Sequence, residues 1–348
     1  MSPIQLSDPT SFPKLTGTYG LLRSRTAGGG PGLLHLVKAD GSLAATVGFE
    51  WNSAAVTCTG GADEVVALPP VSASNSHVYF REGSAIRMVV PPSSKVDITT
   101  VPAGSTVLSM FSVSPDDQKI AVVVVDTSSP THVGTRLYVE DLVGGGHHAD
   151  IYTASASRAG TLTTLWPMGW HQGNLILGVA LTCGPPPPTE WHVSSPVTAQ
   201  RVATIKGSGC QMSTWPSPTG VACAGLSGTT TLYDWSGKVL GVTGPGIQFS
   251  VSDTGLSPAG QSIYFSSGGS TRMVQLGPGP YATLQDHAAC GWIDEDHLLS
   301  PDAVIGFKAE TPGNLQIAAT TTPLPQSAQP DPSTPQTSVC AGRFPGGL

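Results

Sequence analysis

Ser114-Pro115-Asp116-Asp117-Gln118-Lys119-Ile120-Ala121-Val122-Val123 is the stretch whose reading decides the fold. Its first half is turn chemistry, with a hydroxyl that can bond nearby backbone, a proline with preset φ, and two aspartates that tolerate turn geometry. Its second half is an apolar, β-branched run that reads as a strand. The same turn-then-strand pattern returns at Ser217-Pro218-Thr219-Gly220 before Val221-Ala222, and at Ser257-Pro258-Ala259-Gly260 before Ile263-Tyr264-Phe265. In two further copies Gly-Trp replaces Ser-Pro: Gly169-Trp170 leads to Leu175-Ile176-Leu177, and Gly291-Trp292 leads to Leu298-Leu299. A period of roughly 35 to 55 residues built from short strands is the signature of a β-propeller.

Turns between the first two strands of a blade fall near Gly17, Asn75, Pro115, Gly169, Pro218, Pro258 and Asp294. A third strand follows each, at residues 33–37, 86–89, 137–141, 191–193, 232–235, 272–275 and 304–307. Several of these strands end in a glycine turn such as Asp40-Gly41 or Ser236-Gly237, as a hairpin requires. The expected fold is therefore all-β, a seven-bladed β-propeller of four-stranded antiparallel blades. Six or eight blades remain as alternatives, because the first blade is poorly marked and its inner strand is missing from the pattern. The domain reading is an N-terminal extension over 1–15, the propeller over 16–320, and a Pro/Ser/Thr-rich arm over 321–348. The arm returns to strand character at Val339-Cys340-Ala341-Gly342-Arg343-Phe344, which is expected to pair with the first blade and close the ring.

Composition agrees with this fold and excludes several functions. Charged residues are 11% of the chain, against 42 glycines and 31 prolines, so turns are many and long solvated helices few. A net charge of −7 with 16 scattered basic residues leaves no cationic face for a phosphate backbone, so no nucleic-acid partner is expected. Apolar runs such as Ile120–Val125 and Leu175–Leu181 are strand-length and far short of the roughly 20 residues that span a bilayer.

The six cysteines, Cys58, Cys183, Cys210, Cys223, Cys290 and Cys340, are dispersed with no C-x-x-C pair, which suits disulfides better than zinc or redox chemistry. Cys210 and Cys223 flank the Pro216–Gly220 turn and are the first choice of pair, with Cys183 to Cys210 as the alternative; Cys340 would fasten the closing strand. Disulfides imply an extracytoplasmic protein. Met1-Ser2-Pro3-Ile4-Gln5 is not a signal peptide, so an export signal or membrane anchor is expected to have been removed, and membrane association to run only through that anchor.

Ser114-Pro-Asp-Asp-Gln-Lys-Ile-Ala121, followed by Leu137-Tyr-Val-Glu-Asp-Leu-Val-Gly-Gly145, resembles the WD40-like repeat of TolB-type propellers. The likeness is close in this blade, partial at Ser217 and Ser257, and architectural elsewhere; Asp117 stands where that family usually has glycine. The resemblance implies an interaction platform or sensor domain, or a gating domain beside a peptidase. The last needs an α/β-hydrolase partner, and Gly225-Leu-Ser-Gly-Thr229 fails the G-x-S-x-G elbow at its last position.

Candidate binding residues lie on the face formed by second-to-third-strand loops and blade-to-blade connections. Glu50, Trp51, His132, Trp191 and His192 would make an aromatic and polar rim, with Pro185–Pro188 as a stiff spacer. In the plainer alternative, Trp51 and Trp191 pack in blade cores. His147-His148, Asp294-Glu295-Asp296 and Asp116-Asp117 read as solvated turns, so no metal and no cofactor are expected. There is no sialidase-type Asp-box, and no residue is named as catalytic. The sequence reading is thus a monomeric, non-catalytic module recognising a protein, small molecule or glycan; the alternative is a propeller-fold hydrolase or lyase acting on an extracellular glycan or small ester.

Overall fold

The computed structural model describes residues 6–25, 32–50, 55–56, 64–65, 71–158, 163–181, 190–206, 210, 214–224, 229–243, 253–267, 269–276, 281–284, 286–308, 318–329, 338–346 and 348. Seven blades form a ring. Blade 1 holds β1 (Tyr19–Arg25), β2 (Gly32–Val37) and β3 (Leu43–Phe49), and a small hairpin of β4 (Ala55–Val56) and β5 (Glu64–Val65) follows it. Blade 2 is β6 (Val71–Ala73), β7 (Val78–Glu82), β8 (Ala85–Val90) and β9 (Ser94–Thr100). Blade 3 is β10 (Val107–Val113), β11 (Lys119–Asp126), β12 (His132–Asp141) and β13 (Ala149–Ser157). Blade 4 is β14 (Thr163–His171), β15 (Asn174–Leu181), β16 (Glu190–Ser194) and β17 (Arg201–Lys206). Blade 5 is β18 (Thr214–Trp215), β19 (Val221–Ala224), β20 (Thr230–Tyr233) and β21 (Val239–Thr243). Blade 6 is β22 (Asp253–Leu256), β23 (Ser262–Ser267), β24 (Ser270–Gln275) and β25 (Tyr281–Leu284). Blade 7 is β26 (Gly291–Trp292), β27 (His297–Leu299), β28 (Ala303–Lys308) and β29 (Ala318–Pro323).

The missing inner strand of blade 1 is supplied by β30 (Val339–Phe344), which pairs antiparallel with β1 through Tyr19↔Phe344, Gly20↔Arg343 and Leu22↔Cys340. Gly17 therefore precedes the second strand of its blade rather than separating the first two. Blade 5 departs from the pattern in another way: its short inner strand β18 pairs in parallel with β22 of blade 6.

The Ser-Pro turns fold as they do because the serine hydroxyl closes them. Ser114 Oγ accepts from Gln118 N and Lys119 N, and Ser257 Oγ accepts from Gln261 N and Ser262 N. The fourth turn residue takes positive φ in all three copies: Asp117 at 61°, Gly220 at 148° and Gly260 at 70°. At Gly220 a Cβ would lie 1.8 Å from Tyr233 O, so no other residue fits.

An isolated four-stranded sheet cannot hide both of its faces, and here each blade lends its apolar side chains to the next. Seven apolar clusters fill the spaces between neighbouring blades. Leu34, Phe49 and Phe80 join blades 1 and 2, for example, and Trp191, Cys223 and Trp235 join blades 4 and 5. The inner-strand tryptophans work as wedges with a polar handle. Trp170 Nε1 donates to Ser112 O of blade 3 at 3.3 Å, and Trp292 Nε1 to Gly255 O of blade 6 at 3.0 Å.

Two disulfides lie among the described residues, Cys210–Cys223 and Cys290–Cys340. The first is the pair expected across the blade 5 turn, and the second ties the closing strand to blade 7. Cys58 and Cys183 lie outside the described residues. The arm after β29 is better anchored than its composition suggests, because Leu324 and Ala328 are buried between blades 7 and 1. Residues 6–18 cross blade 2: Ser7 N donates to Asp97 O, Phe12 packs between blades 2 and 3, and Leu15 N donates to Ser76 O.

Candidate functional site

Strand order gives the ring two unlike faces. Turns between first and second strands, and between third and fourth, lie on one face, here the turn face. Loops between second and third strands, and blade-to-blade connections, lie on the other, the loop face.

Glu50, His132 and the 190–192 segment lie at the loop-face ends of their strands, at the end of β3 and the starts of β12 and β16. Glu50 is exposed, and its backbone N–H donates to Glu82 Oε1. Glu82 is itself the hub of an ion cluster with Arg87 and Lys95. His132 is exposed and its Nδ1 bonds Thr131 Oγ1, while Arg158 closes the adjoining 127–131 loop by donating to Ser129 O and Thr127 O. His192 is buried, with Nε2 2.6 Å from Glu190 Oε1, and Lys206 Nζ lies 3.0 Å from the other oxygen. Burial pushes the His192 imidazole below its ordinary range, against its hydrogen bond to Glu190. Trp191 is 0% exposed and stacks edge-on against Trp235, so it is a core residue and not part of the rim. The alternation of a strand explains the split between Trp191 and its neighbours. Trp51 lies outside the described residues. A second carboxylate–histidine pair that sequence reading missed, His287–Asp302 at 3.1 Å, sits on the same face in blade 7. No hydrogen bond, ion pair or ring contact joins Glu50, His132 and His192 to one another among the described residues.

The turn face is knitted together by side chains from adjacent blades. Asp117 reaches back to blade 2, where His77 Nδ1 is 2.9 Å from Oδ2 and Tyr79 Oη donates to Oδ1 at 2.7 Å. Burial pushes the Asp117 carboxyl up, and hydrogen bonds from His77, Ser74 and Tyr79 more than offset it, leaving it below the usual carboxylate range. Burial and the neighbouring Asp117 charge push the Tyr79 phenol up. Glu295 of blade 7 does the same work for blade 6, accepting from Ser257 Oγ at 2.5 Å and Ala259 N at 2.8 Å. Asp294, read as a solvated turn acid, accepts from Asp296 N and His297 Nδ1. His147 and His148 diverge, to Asp141 and to Glu140 and Arg136. The described residues contain no group of three metal-ligating side chains.

The innermost strands carry mainly serine, threonine, glycine and apolar residues. Among their described residues is Arg343, whose guanidinium is brought down to about 10 by burial, opposed by Glu295. The inner rim of the turn face is covered by the chain itself: Gly346 N donates to Ser74 O of blade 2 at 2.9 Å, and Leu348 N to Trp170 O of blade 4 at 2.8 Å.

Among known proteins, no family model matches this chain, and no curated protein matches it in sequence. Solved structures do. A chain of the mitotic checkpoint complex aligns at 12% identity and TM-score 0.49, covering 80% of this chain and 84% of its own. An oligogalacturonate lyase in complex with manganese aligns at 10% identity and TM-score 0.49, covering 91% and 99%. The likeness concerns the fold.

Proposed function

We propose that the chain is a non-catalytic recognition module that works outside the cytoplasm and meets its ligand, a protein, small molecule or glycan, on the loop face. The supporting observation is the unequal state of the two faces. The turn face is bound up in blade-to-blade hydrogen bonds and covered by residues 7–15, Gly346 and Leu348, whereas Glu50 and His132 stand exposed on the other. Asp117, Glu295 and Asp294 of the turn face are committed to holding turns, which suits a scaffold. The disulfide that fastens the closing strand suits an oxidising compartment. Kinship with TolB-type propellers rests on the blade 3 turn and its following strand pair, Ser114–Ala121 and Leu137–Gly145.

A glycan, peptide and metabolite screen read by thermal shift tests this reading. A ligand that raises the melting temperature of the parent protein, and does so less in Glu50→Ala or His132→Ala, supports it; stabilisation untouched by either change refutes the loop-face assignment. The hydrolase or lyase alternative has a structural foothold in the pairs Glu190–His192 and His287–Asp302. Turnover of a glycan or ester that is lost in His192→Ala or His287→Ala would establish it instead.

A further inference from the structure

Pro345, Gly346 and Leu348 lie on the turn-face rim in the manner of a bound peptide. Two backbone amides are held by two different blades, Gly346 N by Ser74 O and Leu348 N by Trp170 O. The Leu348 side chain is half-buried against the apolar cluster that joins blades 4 and 5. The fit is steric as well as polar. A Cβ at Gly169 would lie 2.3 Å from Leu348 Cδ1, so glycine at 169 makes the space into which the leucine goes. A Cβ on Gly346 would lie 2.0 Å from Ala73 O, so that place on the rim accepts only a residue without a side chain. None of these contacts is needed to close the ring, which β30 already does through its ladder with β1 and its disulfide.

We infer that this rim is a peptide-recognition groove, occupied in cis by the chain's own Pro345, Gly346 and Leu348, and that its external partner is an extended protein segment with glycine two residues before a bulky aliphatic residue. Backbone bonds supply register and the aliphatic pocket supplies selectivity, the usual division in extended-peptide recognition. The tether sets the threshold. A segment joined by a short connection acts at an effective concentration on the order of millimolar, so a free peptide of equal intrinsic affinity is almost wholly excluded until it reaches that level. The cis segment is then a built-in competitor that only a longer or better-fitting partner displaces. This site is on the opposite face from the one proposed above, and its test leaves Glu50 and His132 untouched, so the two readings can fail separately.

The test uses fluorescein-labelled Arg-Phe-Pro-Gly-Gly-Leu, titrated by anisotropy to millimolar protein. Three proteins are compared: the full chain, the chain ending at Phe344, and full-length Leu348→Asp, which keeps the backbone but withdraws the side chain from its apolar pocket. The expected result is saturable binding to both altered proteins, at least tenfold tighter than to the full chain, and loss of binding when the peptide's leucine becomes alanine or when Gly169→Val is added. Binding of equal strength to all three proteins overturns the proposal. So does absence of saturable binding to whichever altered protein keeps the parent's melting transition. If the truncated chain does not fold, Leu348→Asp alone decides.

Discussion

Replacing both Cys290 and Cys340 by serine removes the covalent tie between blade 7 and the strand that closes blade 1, and its effect can be worked out beforehand. The sequence separation is 50 residues, and the chain-entropy relation gives about 4 kcal/mol for a loop of that length. An unfolding entropy of about 2.1 cal/mol/K per residue over 348 residues is about 0.7 kcal/mol/K, so the melting temperature should fall by about 5 to 6 °C. The matching change at Cys210 and Cys223 opens a separation of only 13 residues, worth about 3 kcal/mol and about 4 °C. Calorimetry of the two double variants without reductant gives the magnitudes and their order. The reasoning fails if the 290/340 variant melts within about a degree of the parent, or if the 210/223 change costs more.

Four further predictions follow from local geometry. Asp117→Gly relieves a positive φ, yet it strips buried His77 and Tyr79 of their acceptor; chemical denaturation should show a net loss of about 2 kcal/mol, not a gain. Gly220→Ala puts a Cβ against Tyr233 O at φ 148°, and a loss exceeding about 2 kcal/mol is expected from the same assay. Trp292→Phe keeps the apolar wedge but removes the donor to Gly255 O, which should cost about 1 kcal/mol. Burial holds His35, bonded between Ser24 and Thr46, down to about 4 from an ordinary 6.5. The unfolded state therefore binds the proton more readily, and the associated stability is complete above pH 6.5 and lost as pH falls toward 4. The span of about 2.5 pH units corresponds to about 3 kcal/mol at most, and the His35→Gln protein should show a correspondingly flatter decline over that window.

The architecture was legible because propeller information is local. Ser114, Ser217 and Ser257 each close their turn with atoms two to five residues away, and the following strand is an apolar run, so turn and strand are read in one glance. Each expected third strand coincides with the third strand of a blade. Other features depend on distant chain. Asp117 looked like a departure from a glycine rule, and its reason, His77 and Tyr79, lies some forty residues back in another blade. Glu295 looked like one of three solubilising acids, but it holds the Ser257 turn from 38 residues away. Trp191 was open to both rim and core readings, since alternation alone does not say which face of a strand meets the neighbouring blade; Trp235 decides it. The His287–Asp302 pair carried no local signal, its members being fifteen residues apart with the first hairpin of blade 7 between them. The covering of the turn-face rim by Gly346 and Leu348 had no sequence sign beyond a run of small residues.

Native-state hydrogen exchange resolved to single amides tests the closed ring most directly. If residues 339–344 are the inner strand of blade 1, their amides bonded to β1 should exchange as slowly as those of residues 20–24 and lose protection together with them. Rapid, independent exchange over 339–344, with residues 20–24 still protected, would mean that the ring is not closed by this strand.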